Sequence, residues 1–423
     1  VLVGAPAREL PPRLAEEHLE ELARLTDTAG GSVVARVVQR IDRPNPRFYI
    51  GEGKVKELAE VVRRARADLV VFDEELTPAQ GKSLEDALGV RVMDRSELIL
   101  DIFATRARSK EARMQVELAQ LEYLLPRLRR MWNHLSRIRG GIGLRGPGET
   151  QLETDRRLIG RRIGELKRKL GDVTKARAVQ RKGREGSFRA ALVGYTNAGK
   201  SSLLKALSGA DLFVEDRLFA TLDPATRVVP LGSAHEALVT DTVGFIRKLP
   251  HDLVASFRST LEEAREADVV LHVIDASHSD WEEHLEVVNA VLEELDLAGQ
   301  DRILVFNKID RLTHAEEEQV RQRVAALEST PAVFVSAHDP ETLAPLRDAL
   351  RTRLQARLAH ARVRVPFEDG EAIAQLYRDA EVLARSHDDA GVTLTVRASA
   401  AALGRLSGRP GVRVEEHAAT CGS

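Results

Sequence analysis

The sequence predicts an α/β protein in which a doubly wound domain is preceded by a small α/β domain with a long antiparallel helical hairpin, and followed by a small α+β domain. Three observations predict it. From Phe188 to about residue 357, apolar runs alternate with amphipathic stretches at the period of β-α-β units. Upstream, two helical stripes of leucine and isoleucine flank a glycine-rich run. Where the alternating stretch begins, a buried-strand run passes through a glycine-bearing loop into a helix. The boundaries read as 1–107, 108–186, 187–357 and 358–423.

The length of 423 residues already exceeds one ordinary core. Aromatics are only 4% of the chain, so its cores must be built from Leu, Val, Ile and Ala. The single cysteine, Cys421, excludes an intramolecular disulfide and a cysteine metal cluster, and a cytoplasmic setting is expected. No apolar run reaches the roughly 18 residues of a spanning helix, so neither a membrane span nor an export signal is expected. A monomer is the expected state.

In chain order, residues 1–30 read as a leader with a helical piece at 13–25 and a break at Gly30-Gly31. Strands are expected at 33–38, 68–72 and 90–93, with helices near 53–65 and 77–88. Leu118, Leu121, Leu125, Leu128 and Trp132 then repeat at three and four residues, the seam of one long helix over 108–138. Ile159, Ile163, Leu166 and Leu170 mark a second helix over about 152–182. Between them the run Gly140-Gly141-Ile142-Gly143-Leu144-Arg145-Gly146-Pro147-Gly148 cannot continue a helix, which makes the pair a hairpin with a projecting tip. Pro126 should bend its first arm. After the doubly wound part, a strand at 362–365, a helix around 370–385, an alternating run at 391–397 and a disordered tail complete the chain.

Net charge is −2, but residues 101–190 hold 23 Lys and Arg against 10 Asp and Glu, a net of +13 that leaves −15 elsewhere. That segment suits a polyanion, with nucleic acid the commonest; a solvated helical surface is the plainer alternative.

Residues Gly194-Tyr195-Thr196-Asn197-Ala198-Gly199-Lys200-Ser201 fit G-x-x-x-x-G-K-S between the strand run 190–193 and the helix that opens with Ser202. Backbone N–H groups of such a loop turn toward the β-phosphate, Lys200 reaches the β/γ oxygens, and the Ser201 hydroxyl ligates Mg²⁺. Downstream, Asp241-Thr242-Val243-Gly244 places a carboxylate for a Mg²⁺-bound water and a glycine N–H for the γ-phosphate. Asn307-Lys308-Ile309-Asp310 follows another strand run. A carboxylate at Asp310 accepts from both N1–H and N2–H₂ of guanine, whereas adenine has a lone pair at N1 and no N2 donor. Ser336-Ala337 supplies the loop behind the base. The central domain therefore reads as a P-loop GTPase domain binding GTP and GDP. Thr221, within Phe219-Ala220-Thr221, is the candidate switch threonine completing Mg²⁺ coordination, with Thr226 competing. Lys200, Thr221 and Gly244 are the residues expected to act on the reacting phosphate. Phe245 follows Gly244 and cannot orient water, so slow hydrolysis without a partner is expected. Asn197 offers an oxygen ligand for K⁺ near the phosphates, or simply caps the loop.

The residues resemble the HflX GTPases, ribosome-associated relatives of the Obg group. The resemblance is carried by Phe48-Tyr49-Ile50-Gly51-Glu52-Gly53-Lys54, Leu98-Ile99-Leu100-Asp101-Ile102-Phe103-Ala104, Gln115-Val116-Glu117-Leu118-Ala119-Gln120-Leu121, the run 146–157 from Gly146-Pro147-Gly148 to Arg156-Arg157, and Asp241-Thr242-Val243-Gly244-Phe245-Ile246. It covers nearly 30–400. Ala225 departs from it, standing where the family usually has threonine. The resemblance implies a GTPase that binds the large ribosomal subunit and its rRNA and splits stalled ribosomes under stress, with the ribosome stimulating hydrolysis. It further implies that the hairpin tip, with Gly140, Gly141, Gly143, Arg145, Gly146 and Gly148, contacts RNA near the peptidyl transferase region. The family's N-terminal part has also been credited with ATP use; Gly51-Glu52-Gly53-Lys54 lacks the spacing of a second phosphate loop and reads equally as a tight turn opening a helix.

Overall fold

The computed structural model describes residues 1–131, 147–182, 187–211, 215–232, 235–249, 263–388 and 391–417. The chain forms two compact units. The first is Val1–Arg177 with Glu215–Asp223 and Ile246–Thr260; the second is Ala178–Val214, Pro224–Phe245 and Leu261–Ser423.

Among the described residues, the first unit carries one four-stranded sheet built from β1 (Leu2–Gly4), β2 (Arg36–Val38), β3 (Leu69–Phe72) and β4 (Arg91–Asp94), in the order β2-β1-β3-β4. All three pairings are parallel. Residues 2–4 are thus a central strand rather than part of a leader, which corrects the sequence expectation. The physical reason is burial: Leu2 and Val3 are almost fully enclosed, with Val70 and Phe72 in the core beside Val3. The helix Pro12–Thr28 follows it. The helix Pro78–Leu88 starts at a capping box in which the Thr77 side chain accepts from the Gln80 N–H while Gln80 reaches back to the Thr77 N–H, and ends at Gly89 in the left-handed region.

Two long helices, Lys110–Met131 and Pro147–Lys182, pack through Met114, Leu118 and Leu121 against Ile163, Leu166, Leu170 and Val173. Glu117 pairs with Arg162 at 2.6 Å and Glu122 with Lys167 at 2.8 Å. The second helix begins earlier than expected. Pro147 and Gly148, read as part of the tip, lie in its first turn, where proline's missing N–H costs nothing. Trp132 and tip residues 140–146 lie outside the described residues.

The second unit holds a six-stranded sheet in the order β10-β9-β8-β5-β7-β6, from β5 (Phe188–Gly194), β6 (Ala225–Gly232), β7 (His235–Asp241), β8 (Val269–Asp275), β9 (Arg302–Asn307) and β10 (Ala332–Phe334). Pairing is parallel except between β6 and β7. Connections leave β5 toward β7 on one side and β8 on the other, so its carboxyl end is a switch point of the topology, where open sheets bind ligands. A second, antiparallel sheet orders β12 (Ala380–Asp388), β13 (Gly391–Ala398), β11 (Ala359–Val365) and β14 (Arg413–His417). The helix expected to run to 385 ends at Asp379, and its last residues instead pair with β13 as an edge strand. No helix among the described residues is long and apolar enough to cross a membrane.

His272 lies within β8, fully enclosed, and its Nδ1 has no hydrogen-bond partner. Burial, with the charges of Arg302 and Lys200, pushes its pKa down to about 3. The unfolded chain then binds a proton below the ordinary histidine pKa that the folded chain refuses, so stability falls as pH drops from about 6.5, by up to about 1.4 kcal/mol per pH unit. Urea unfolding followed by Trp281 in a Trp132→Phe background should show this slope, and His272→Gln should flatten it. An unchanged slope in that variant would place the proton uptake elsewhere.

Candidate nucleotide-binding site

The phosphate loop leaves β5 at Gly194 and enters the helix Lys200–Ser208. Gly199 adopts φ 93°, and a side chain there would collide with the Asn307 amide, so glycine is required both for conformation and for close approach. Lys200 folds back beneath the loop, its ammonium donating to the carbonyls of Gly194 (3.1 Å) and Tyr195 (2.9 Å). Burial pushes its pKa down to about 8, opposed by the Asp241 charge and reinforced by that of Lys308. Ser201 donates its hydroxyl to Asp241 at 2.5 Å, which brings together two of the oxygen donors named from the sequence. A hydroxyl and a carboxylate at a helix N-terminus form a hard-oxygen set that fits Mg²⁺. Ser202 continues the first turn of that helix.

Beyond Asp241, the Thr242 hydroxyl donates to the Leu192 carbonyl at 2.7 Å, and Val243 is buried. Gly244 is pressed onto the loop. A side-chain carbon there would stand 2.7 Å from Thr196 Cα and 3.0 Å from Lys200 Nζ. Next, the Phe245 N–H donates to the Gly194 carbonyl (3.0 Å) and its carbonyl accepts from the Thr196 N–H (2.6 Å). The Phe245 ring is buried.

The base-recognition residues are tied to the same loop. Asn307 donates from its amide to the Ala198 carbonyl at 2.9 Å and accepts from the Ala337 N–H at 3.1 Å. Lys308 donates to the Asn197 carbonyl at 2.8 Å and pairs with Asp275 at 2.7 Å. Asp310 is exposed, and one of its oxygens accepts from the Ser336 hydroxyl at 2.5 Å, which orients the carboxylate. One phosphate loop thus carries Gly194 to Ser201 on its inner side and Asn307, Lys308, Ser336 and Ala337 behind it. Phe219, Ala220 and Thr221 fall in Glu215–Asp223, a segment of the first unit. The Thr226 hydroxyl is engaged with that of Thr240 at 2.9 Å across β6 and β7.

Sequence reasoning missed two contributors. Asp275 ends β8 and anchors Lys308; burial pushes its carboxyl up, but the Lys308 ammonium and the Ser277 donors outweigh that and hold it below the usual range. The cue was present, since an apolar strand run ending in an acid is the pattern that singled out Asp241. His284 stacks on Tyr195, with ring centroids 3.8 Å apart and planes at 8°. Nothing local in the sequence links residues 195 and 284.

Comparisons with known proteins agree in kind. Profiles of families described as GTP-binding GTPase N-terminal, GTP-binding GTPase Middle Region and 50S ribosome-binding GTPase match residues 16–104, 106–184 and 189–308. The chain is 50% identical over 314 residues to a GTPase HflX of Flavobacterium psychrophilum, covering 74% of this chain and 76% of that one. It is 45% identical over 403 residues to one of Magnetococcus marinus, with coverage of 94% and 92%. Over 388 residues it is 44% identical to one of Escherichia coli, covering 90% and 89%. A crystal structure of a GTP-binding protein from Sulfolobus solfataricus in complex with GDP aligns with a TM-score of 0.44 and 26% identity, covering 84% of this chain and 99% of that one.

The depressed pKa of Lys200 has a measurable consequence. Phosphate charge beside the ammonium favours its protonated form, so nucleotide binding takes up a proton wherever the free protein has lost one. Calorimetry of GTP-analogue binding in buffers of different ionisation enthalpy should show almost no uptake near about pH 6.5 and more than about half a proton near pH 8.5. Zero uptake at the higher pH would mean that Lys200 stays charged in the empty loop.

Proposed function

The chain belongs to the HflX family of GTPases, and from that premise we propose that it binds the large ribosomal subunit and uses GTP to split or rescue stalled ribosomes under stress. The observation that carries this reading is the +13 segment, 101–190, in the same chain as a complete guanine-nucleotide constellation. Two packed helices, Lys110–Met131 and Pro147–Lys182, lie within it. Arginines and lysines along such helices pair with rRNA phosphates, and a glycine-bearing tip at 140–148 suits entry into a crowded RNA cavity. The match to a profile described as 50S ribosome-binding GTPase supports the same partner.

The chemistry is hydrolysis of GTP to GDP and phosphate. Loop N–H groups and Lys200 would bind the β- and γ-phosphates, and the Gly244 N–H would meet the γ-phosphate. Ser201 directly, and Asp241 through water, would hold Mg²⁺, with Thr221 as a further ligand; the ion supplies charge neutralisation on the phosphates. Asp310 selects guanine with Ser336 and Ala337 beside it. Water must be oriented by something other than Phe245, whose side chain is apolar and buried. That burial also favours a second reading, a GTP-ordered assembly factor in which turnover is incidental.

Two measurements follow. GTPase rate should rise at least about tenfold with large subunits, as partner-supplied groups do elsewhere, and Arg145→Ala or deletion of the tip should reduce the stimulation while leaving the basal rate. Sedimentation of ribosomes with GTP or a non-hydrolysable analogue should release subunits; no release with either supports the assembly factor. Asn197 sits at φ 61°, with its carbonyl held by Lys308. If it helps to hold K⁺, the basal rate in potassium exceeds that in sodium, and equal rates remove the role.

A further inference from the structure

Two short segments of chain beside the nucleotide motifs belong to the first unit, and both are held there in unusual ways. In Glu215–Asp223, Glu215 pairs with Arg106 at 2.6 Å. The Asp223 carboxylate accepts from the N–H groups of Arg108 and Ser109 at 3.1 Å each, and from the Ser109 hydroxyl. Phe219 packs edge-on against Phe103, with ring centroids 4.7 Å apart. The second segment begins at Ile246, one residue after Phe245. Ile246 is 1% exposed, and the next two residues enter a cluster of charges.

Arg95, itself 1% exposed, pairs with Glu21 and with Asp73 (2.9 Å), and its Nε donates to the Arg247 carbonyl at 3.1 Å. Arg247 pairs with Glu21 at 3.4 Å and Asp73 at 3.5 Å. Lys248 pairs with Asp73 at 2.7 Å and with Glu74 at 3.6 Å; a Glu74 oxygen also accepts from the Ala5 N–H. Burial pushes the Asp73 carboxyl up, but Arg95, Lys248 and Arg247 outweigh it and hold Asp73 well below the usual carboxylate range. Among the described residues the cluster sets three carboxylates against three cations, and two of the cations come from the segment that follows Gly244. If that segment left, Glu21, Asp73 and Glu74 would face Arg95 alone in a buried place. Removing partners from buried charges is costly, so the segment is held firmly.

Strain marks the same places. Lys248 stands at φ 53° and Phe219 at φ 54°, in the left-handed region that non-glycine residues rarely adopt. Each is kept there by the contacts just described.

Phe245–Lys248 is therefore a strap fastened at both ends. At its start the Phe245 carbonyl occupies the Thr196 N–H and Gly244 presses on Thr196 and Lys200; at its end Arg247 and Lys248 sit among the acids. A γ-phosphate reaching Lys200 must displace Gly244 and so pull on the strap. A diphosphate need not. We propose that Arg247 and Lys248, with Glu21, Asp73, Glu74 and Arg95, determine specificity between guanosine tri- and diphosphate by setting the resistance against which the γ-phosphate draws Gly244. This rests on the reading that Gly244 meets the γ-phosphate.

The test compares affinities of the full-length protein for GDP and for a non-hydrolysable GTP analogue. Lys248 is part-exposed, so Lys248→Ala should fold; Glu74→Gln weakens the same pair from the other side. Each should tighten analogue binding, by about fivefold or more for Lys248→Ala, and leave GDP affinity within about twofold, as a differential effect on two states requires. The double variant should gain no more than Lys248→Ala alone. Parallel changes for the two nucleotides, or no change, would overturn the proposal. Gly244→Ala separates the underlying reading: it should weaken the analogue selectively, and if it does not, Gly244 is not the γ-phosphate contact, whatever the Lys248 variants do.

Discussion

A buried ammonium has to be surrounded by oxygen, and the nucleotide site follows from meeting that need at Lys200. Two loop carbonyls take its hydrogens, and the loop must curl to present them. Curling leaves the outward-facing carbonyls of Asn197 and Ala198 to be satisfied, and Lys308 and Asn307 satisfy them. Those two side chains sit at the end of β9, two residues before Asp310, so the base-selecting carboxylate is held in register with the phosphate loop by the loop's own hydrogen bonds. Phosphate binding and guanine selection are thus one piece of structure. Asp275 extends it by one more link through Lys308.

Strong and weak fastening are distributed unevenly around this piece. Behind the loop the links are short hydrogen bonds between groups with no strain. In front of it the links run through Phe245, a left-handed Lys248 and a set of buried charges whose neutrality depends on two residues of the moving chain. Buried ion clusters of this kind add little net stability, because desolvation offsets most of the attraction, but they penalise any arrangement that leaves one partner behind. That is the property wanted of a segment with two positions.

Much of this was legible in the sequence, and what was not has identifiable causes. The strand, loop and helix around Lys200, and Asn307, Lys308, Asp310 and Ser336, are local patterns whose chemistry fixes both residue type and spacing. The two paired helices declared themselves through leucines and isoleucines at three and four residues. β1 was misread because three residues, Leu2 to Gly4, carry no period, and only partners at 36–38 and 71–72 make them a strand. β12 was taken for helix because its outer half is polar and exposed, so apolar alternation was missing. The cluster around Arg95 joins residues at 21, 73, 95 and 247. Charged residues at such separations look like ordinary surface until the chain is folded.

Phe245 brings these strands of argument together. Its backbone makes two hydrogen bonds to the phosphate loop, and its ring is enclosed, so the position is committed to holding the strap rather than to touching water. A glutamine there would have to bury an amide or leave the enclosed site, and either would loosen the fastening. An apolar residue after Gly244 is therefore consistent with a design that spends this position on conformation. The cost is that no side chain at this place orients the attacking water, and hydrolysis depends on groups that must be brought to the site. A GTPase so built retains triphosphate until something else engages it, and the basic helices carried by the same chain are suited to an RNA-rich surface as that something.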